Sequence, residues 1–322
     1  MSVVTFGESK VALLPHETVL SALERAGQRI PNSCRSGVCQ SCLMQAVTGE
    51  VPAQSQRGLK PAWVQQGYFL ACQCQPAGDL WVALPNKVIP VFSTRVLDKH
   101  LAAEGVLVLR LEVPEGFTCR AGQYLHLEME QVVRSYSVAS LPAHDGYIEL
   151  HIRRVSGGKL SNWLHDHCAI GAVCTIRGPL GECFYLPDAT ADFPLLLAGT
   201  STGLAPLEGI VRDALQQGHQ GPITLIHGVL ERNGLYHADK LHQLAATHPN
   251  FSYLPAVREE GESGDVALLL KQHFAQHAAN ATRVFLCGAP ELVNSLKRQV
   301  FLQGAASCHI HADPFVMAPA AP

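Results

Sequence analysis

The sequence is short of charge and has no long run of any one kind. Charged side chains make up 16% of the 322 residues, and 24 Lys plus Arg stand against 27 Asp plus Glu for a net charge of -3. No basic cluster is long enough for the electrostatic footprint of a nucleic-acid binder, so no nucleic-acid partner is expected. Long apolar stretches are missing too: runs such as Phe193 to Ala198 fall far short of the roughly 18 residues that a membrane span requires. The first ten residues have neither the basic region nor the apolar core of a secretory signal. The expectation is therefore a soluble, cytoplasmic chain in which disulfides are rare. No internal repeat is found, and the dinucleotide fingerprint G-x-G-x-x-G is absent. Against these absences stand 11 cysteines, which need a role other than disulfide bonding.

The length allows two domains, or three compact ones, at about 150 residues per domain. Residues 1–86 read as a small mixed module with strands Val3 to Phe6 and Val11 to Leu14, a helix from Thr18 to about Gln28 and a cysteine-rich loop. The helix carries Val19, Leu20, Leu23 and Ala26 on one face, with Gly27 at its stop. Pro85, Asn86 and Pro90 mark a connector. Residues 91–188 are β-rich, with turns at Pro114-Glu115-Gly116, His144-Asp145-Gly146 and Gly178-Pro179 and one short helix after Gly158, the pattern of an antiparallel barrel or sandwich. In residues 192–316, strands Pro194 to Ala198, Ile223 to Val229, Phe251 to Val257 and Val284 to Cys287 alternate with helices Leu204 to Gln217, Ala238 to Thr247, Asp265 to Ala278 and Glu291 to Gln303. That alternation implies a parallel sheet covered on both faces, with ligands at the carboxyl ends of its strands. A Pro/Ala tail follows from Met317.

Cys34, Cys39 and Cys42 have the spacing C-x4-C-x2-C, and Cys72 follows further on, the plant-type 2Fe-2S pattern. Two irons need four thiolates, and one tight loop can present three only if small, turn-forming residues separate them, as Ser36, Gly37 and Ser41 do here. Structural zinc is the competing reading, but it usually draws on paired C-x2-C knuckles, and only Cys39 and Cys42 form one. Cys74 rivals Cys72 as fourth ligand, because on an extended segment the two point to the same side. Leu70-Ala71-Cys72 with Pro76 resembles the last ligand segment of plant-type ferredoxins, and that resemblance selects Cys72. The remaining cysteines read as small core residues.

Arg134-Ser135-Tyr136-Ser137 is a weak motif alone. It gains weight from Gly157-Gly158-Lys159-Leu160-Ser161, a glycine-rich turn feeding a helix whose free N–H groups suit a pyrophosphate. Together they resemble the flavin barrel of the ferredoxin-NADP reductase superfamily. The resemblance implies that Arg134 and the amides of Gly158, Lys159, Leu160 and Ser161 hold the FAD pyrophosphate. It also implies that Tyr136 lies on the isoalloxazine ring, that Ser137 reaches toward flavin N5, and that Ile152 and Arg153 meet the ring edge through their backbone.

In the last module, Gly199-Thr200-Ser201-Thr202-Gly203-Leu204-Ala205-Pro206 resembles that superfamily's G-x-G-hydrophobic-A-P loop with altered spacing, and Cys287-Gly288-Ala289-Pro290 resembles its Cys-Gly-Pro motif. By that resemblance Gly199, Thr200, Thr202, Gly203 and Gly288 border the nicotinamide. Cys287 steers hydride geometry near C4, and Phe315 is either a terminal aromatic near the flavin, as in family members, or a C-terminal core anchor. Leu230 stands where NADPH-preferring relatives often place an arginine, and Glu231 could accept from a free ribose hydroxyl. Arg232 keeps NADPH open, so NADH is expected and NADPH remains possible. The 16 histidines include His165-x-His167 and His309-x-His311, but neither pair has a third ligand nearby in sequence and none is assigned a role.

The whole order, a β-grasp ferredoxin module, an antiparallel β-barrel for FAD and an α/β nucleotide domain, resembles the reductase components of multicomponent oxygenases. That implies an NADH-dependent electron-transfer flavo-iron-sulfur enzyme that serves a partner protein, an oxygenase, docking near the Cys39 loop. A donor to an iron-sulfur dehydratase in deoxysugar synthesis would have the same build. A zinc-containing nucleotide sensor is the reading from another class.

Overall fold

The computed structural model describes residues 2–32, 35–37, 40–85, 89–129, 132–187 and 192–316. The chain divides into two compact units, Met1–Ile89 and Pro90–Pro322.

In the first unit, strands β1 (Val3–Phe6), β2 (Ser9–Ala12), β3 (Leu43–Thr48), β4 (Tyr68–Leu70) and β5 (Leu80–Ala83) form a mixed sheet in the order β2-β1-β5-β3-β4. The first and last strands pair in parallel and the other neighbours are antiparallel. Helix α1 (Val19–Arg25) covers it, burying Val19, Leu20, Ala22 and Leu23. Thr18 caps this helix through its hydroxyl, and Gly27 leaves it at φ 79°. β2 starts two residues earlier than its apolar residues suggest, because the turn at Gly7 and Glu8 pairs Phe6 directly with Ser9. Helix α2 (Pro61–Gln65) precedes β4.

The second unit begins with strands β6 (Val91–Ala103), β7 (Val106–Glu112), β8 (Tyr124–Met129), β9 (Val132–Ser137), β10 (Tyr147–Arg153) and β11 (Val173–Leu180), with helices α3 (Pro142–Asp145) and α4 (Lys159–Asp166). The sheet order is β10-β7-β6-β11-β8-β9, and an antiparallel bridge from Val138 to Leu150 joins its two ends into a barrel. Helix α3 is a second helix in this stretch. It is a single turn, too short to leave a periodic signature, and Gly146 ends it at φ 77°.

The remaining elements are strands β12 (Leu195–Thr200), β13 (Ile223–Val229), β14 (Phe251–Val257), β15 (Arg283–Gly288) and β16 (Ile310–Pro314), with helices α5 (Leu204–Gln216), α6 (Ala238–Thr247), α7 (Val266–Gln276) and α8 (Pro290–Leu302). All five strands are parallel, in the order β14-β13-β12-β15-β16. Strand β16 was not expected: Ile-His-Ala-Asp-Pro is no apolar run, and its proline is tolerated because the strand lies at the sheet edge. The order reverses between β12 and β15, which places the ligand crevice at their carboxyl ends.

The barrel and the nucleotide module share a core, in which Val106, Cys183 and Tyr185 pack with Leu197, Ile210 and Phe285. Strand β10 is their common wall. Ile148, Leu150 and Ile152 fill the barrel, while Glu149 and His151 on the other face are buried as well.

Candidate active site

Ser137 ends β9, and its hydroxyl donates to Oδ2 of Asp313 on β16 over 3.2 Å. Asp313 pairs in register with Cys287 on β15, and the next pair is Gly288 with Pro314. The Phe315 amide then donates to the Gly288 carbonyl at 2.8 Å, which holds the half-buried aromatic against the shared core. Burial raises the Asp313 carboxyl to about 6 despite the opposing hydrogen bond from Ser137. Cys287 is buried with its Sγ 3.7 Å from that of Cys183. Burial pushes its thiol well above the ordinary range, so it stays neutral and is no nucleophile. Ser137, Cys287 and Phe315 thus come together, with Asp313 as a member that sequence reasoning missed. Its one signal was a carboxylate placed two residues before the terminal aromatic.

Arg134 and Tyr136 share one face of β9, opposite Leu127 and Leu125 of β8. The Arg134 Nη1 folds back onto the Val133 carbonyl at 2.7 Å, and burial raises the Tyr136 phenol, which stays protonated. Helix α4 packs against β9, and no side chain caps its N-terminus, where Gly158 makes the tight entry. A Cβ on Gly158 would lie 2.5 Å from the Ser161 Oγ, which in turn accepts from the Val155 amide. Leu160 and Ser161 are buried and Lys159 is exposed. On β10 the Ile152 carbonyl accepts from His165 Nε2 at 3.1 Å, its side chain fills the barrel, and Arg153 is exposed.

The loop after β12 explains its glycines directly. A Cβ on Gly203 would lie 2.4 Å from the Cys287 carbonyl oxygen, and one on Gly199 2.8 Å from the same atom. Gly288 takes φ 125° with the Thr200 hydroxyl close by. The two loops therefore meet backbone to backbone. Ser201 adopts φ 51°, a conformation that glycine usually fills. Ser201-Thr202-Gly203-Leu204-Ala205-Pro206 is thus G-x-G-hydrophobic-A-P with serine in the first glycine's place, so the departure is a replacement and the spacing is retained.

In the first unit, Cys34 and Cys39 lie outside the described residues. Cys42 is buried beside Cys72, and burial raises its thiol to about 11 against the Cys72 backbone amide, which lowers it. Residues 71–73 form a 3-10 turn, so Cys72 and Cys74 are not on an extended segment, and the expectation that they point to one side fails there. Cys72 lines a surface hollow with Ser36, Gly37 and Gln73, whereas Cys74 is fully buried against the Ser55 hydroxyl. Arg35 and Gln40 take φ 54° and 57°, and Arg35 ties its loop to Glu24 of α1 at 2.8 Å.

Residues 7–77 match the family described as the 2Fe-2S iron-sulfur cluster binding domain, residues 93–185 the oxidoreductase FAD-binding domain, and residues 196–298 the oxidoreductase NAD-binding domain. The chain is 33% identical over 310 residues to the ferredoxin–NAD(P)(+) reductase component of the naphthalene 1,2-dioxygenase/salicylate 5-hydroxylase systems of a Ralstonia species, covering 92% of this chain and 93% of the relative. The chain belongs to this family of oxygenase-system reductase components. The reductase is also 31% identical to the reductase subunit of an Amycolatopsis aromatic O-demethylase, over 98% of both chains. Among solved structures it resembles the Amycolatopsis cytochrome P450 reductase, with a TM-score of 0.67 and 30% identity over the full length of both. It is an NAD(P)H-dependent oxidoreductase with 2Fe-2S, FAD and NAD domains.

The described residues of the reductase fit those groups: an uncapped N-terminus on the helix that packs against β9, glycine loops meeting at the carboxyl ends of β12 and β15, and the Cys42 and Cys72 thiols side by side. His151, Glu208 and His237 also gather, with ligand atoms within 4.8 Å of one another. Here Glu208 pairs with Lys240 and His237, and Glu149 pairs with Arg110 and His151, so the cluster is charge-balanced as a polar seam between barrel and nucleotide module. No helix of the described residues is long and apolar enough to cross a membrane.

Proposed function

We propose that the reductase takes electron pairs from NADH and delivers them singly to an oxygenase, with Cys34, Cys39, Cys42 and Cys72 as cluster ligands. The observation that carries this is the meeting of Ser137 from the barrel with Asp313 and Cys287 from the nucleotide module. It brings a residue of the barrel and two of the nucleotide module together, which supports hydride transfer between groups bound to each. When bound, FAD supplies the conversion between two-electron and one-electron chemistry, and the cluster supplies the one-electron outlet.

The chain's own residues position these groups. Arg134 and the amides of Gly158 to Ser161 answer the pyrophosphate charge. Tyr136 offers a neutral aromatic face, and Asp313 fixes the Ser137 hydroxyl in one orientation. Gly199, Gly203 and Gly288 let the loops after β12 and β15 meet backbone to backbone, and with Thr200 and Thr202 they would border the nicotinamide. Cys287 limits its approach, Phe315 excludes water from the same side, and Glu231 accepts from a ribose hydroxyl. The partner docks near the Cys39 loop, where Arg35 and Gln40 shape the surface.

Anaerobic titration with NADH, followed by visible and EPR spectra, tests this. We expect flavin bleaching and then a reduced-cluster signal. Flavin bleaching with no change in cluster absorbance would overturn the electron order.

A further inference from the structure

Val229 and Val257 end the neighbouring strands β13 and β14 in register, so the segments that follow leave the sheet side by side. The first is Leu230-Glu231-Arg232 and the second Arg258-Glu259-Glu260. The Glu259 amide donates to the Leu230 carbonyl at 3.2 Å, and the Arg232 amide donates to Glu259 Oε1, also at 3.2 Å. The Arg232 guanidinium forms an ion pair with Glu260. The second segment cannot drift away, because Gly264 folds back so closely that a Cβ there would lie 1.8 Å from the Val257 carbonyl oxygen. Glu260 thus holds the exposed Arg232 guanidinium and Glu259 its amide, while Glu231 precedes Arg232 in sequence and Arg258, also exposed, opens the second segment.

In a parallel nucleotide sheet, the carboxyl end of the strand next to the first is where the adenosine ribose is read. An acid there accepts from a free 2'-hydroxyl, and an arginine accommodates a 2'-phosphate. Arg232, on the segment that follows β13, is a cation placed for that role. We infer that Glu260, with Glu259, captures Arg232 and so acts as a specificity-determining residue that favours NADH over NADPH, an inference resting on the proposed hydride donor. An exposed ion pair contributes little by itself. The discrimination comes from like charge: a dianionic phosphate would have to approach Glu231 and Glu260 while the Arg232 guanidinium is already engaged by Glu260.

The test compares the flavin-loaded full chain with the variants Glu260→Gln, Glu262→Gln and Arg232→Gln/Glu260→Gln. It reads kcat/KM for flavin reduction by NADH and NADPH, and calorimetric affinity for 2',5'-ADP and 5'-ADP. We expect the parent protein to prefer NADH. Glu260→Gln should raise the NADPH-to-NADH ratio about tenfold, as one lost charge interaction does, and tighten 2',5'-ADP similarly with 5'-ADP unchanged. The gain should largely vanish in the double variant and be absent in Glu262→Gln. An unmoved ratio in Glu260→Gln, an equal gain in Glu262→Gln, or a parent protein that prefers NADPH would each overturn the inference. If neither nucleotide reduced the flavin, the proposed function would fail instead, and the 2',5'-ADP affinities would still decide the role of Glu260.

Discussion

Ser137 and Asp313 are 176 residues apart in sequence, yet the serine hydroxyl donates to the aspartate at 3.2 Å. That one bond fixes a barrel residue against the edge strand of the nucleotide sheet. The carboxyl is held near 6 by burial, so its charge, and with it the strength of the bond, changes within an accessible pH range.

Removing the hydroxyl should therefore slow flavin reduction. We expect Ser137→Ala to lower the stopped-flow rate with NADH by at least tenfold, in keeping with the loss of one oriented donor. The rate in the parent protein should show an inflection near pH 6 from Asp313 that Asp313→Asn lacks. A parallel pH profile in that variant would remove Asp313 from the site.

Asp313 also has a stability consequence of definite sign. Its folded pKa is raised from 3.8 to about 6, so its contribution is fully present below the lower value and lost as pH rises through the upper one. We expect Asp313→Asn to gain thermal stability over the parent protein at pH 8, by no more than about 3 kcal/mol, and to gain none at pH 3.5.

Glu208 and Glu149 act in the opposite sense. Burial alone would raise both carboxyls, but His237 and Lys240 around Glu208, and His151 and Arg110 around Glu149, more than reverse this and bring Glu149 down to about 2. Their stabilisation is present above the usual carboxylate pKa of 4.5 and is lost as pH falls toward 2. The seam between barrel and nucleotide module should therefore give way in acid. Lys240→Met should move the acid unfolding midpoint, read by circular dichroism, to higher pH.

The proposed cluster ligands divide the cysteines sharply. Cys42→Ser and Cys72→Ser should each abolish the rhombic EPR signal of the reduced cluster. Cys74→Ala should retain it and cost about 1 kcal/mol or more of stability, since a fully buried side chain is truncated. An intact signal in Cys72→Ser would return the fourth position to Cys74.

Residues 1–86 carry six Lys or Arg and five Asp or Glu, close to neutral. Docking of the acceptor should then depend little on long-range steering. We expect electron delivery to a cognate oxygenase to fall less than about threefold between low and physiological ionic strength. A collapse over that range would place a strong charge pair at the interface.

Much of this protein was legible in the chain itself. The cysteine spacing, the Arg134-to-Ser137 and Gly157-to-Ser161 motifs and the alternation after Phe193 are local signals, set by periodicity and turn chemistry. The strands Ile223–Val229 and Phe251–Val257 and the helix Ala238–Thr247 therefore fall where the pattern puts them. Local signals fail where a neighbour supplies the reason for a conformation. Strand β16 exists because β15 offers it an edge, and Cys72 parts from Cys74 because residues 71–73 tighten into a 3-10 turn. Ser201 takes a left-handed φ of 51° in the turn whose Gly203 packs on the Cys287 carbonyl, a conformation its own sequence does not announce. The sequence by itself determined which classes of cofactor this protein can hold, since most residues for each lie in local motifs. Only the tertiary structure decided that Asp313 joins Ser137 and that Glu260 takes Arg232, because hydrogen bonds and charge pairs act through space and the chain between their partners leaves no trace of them.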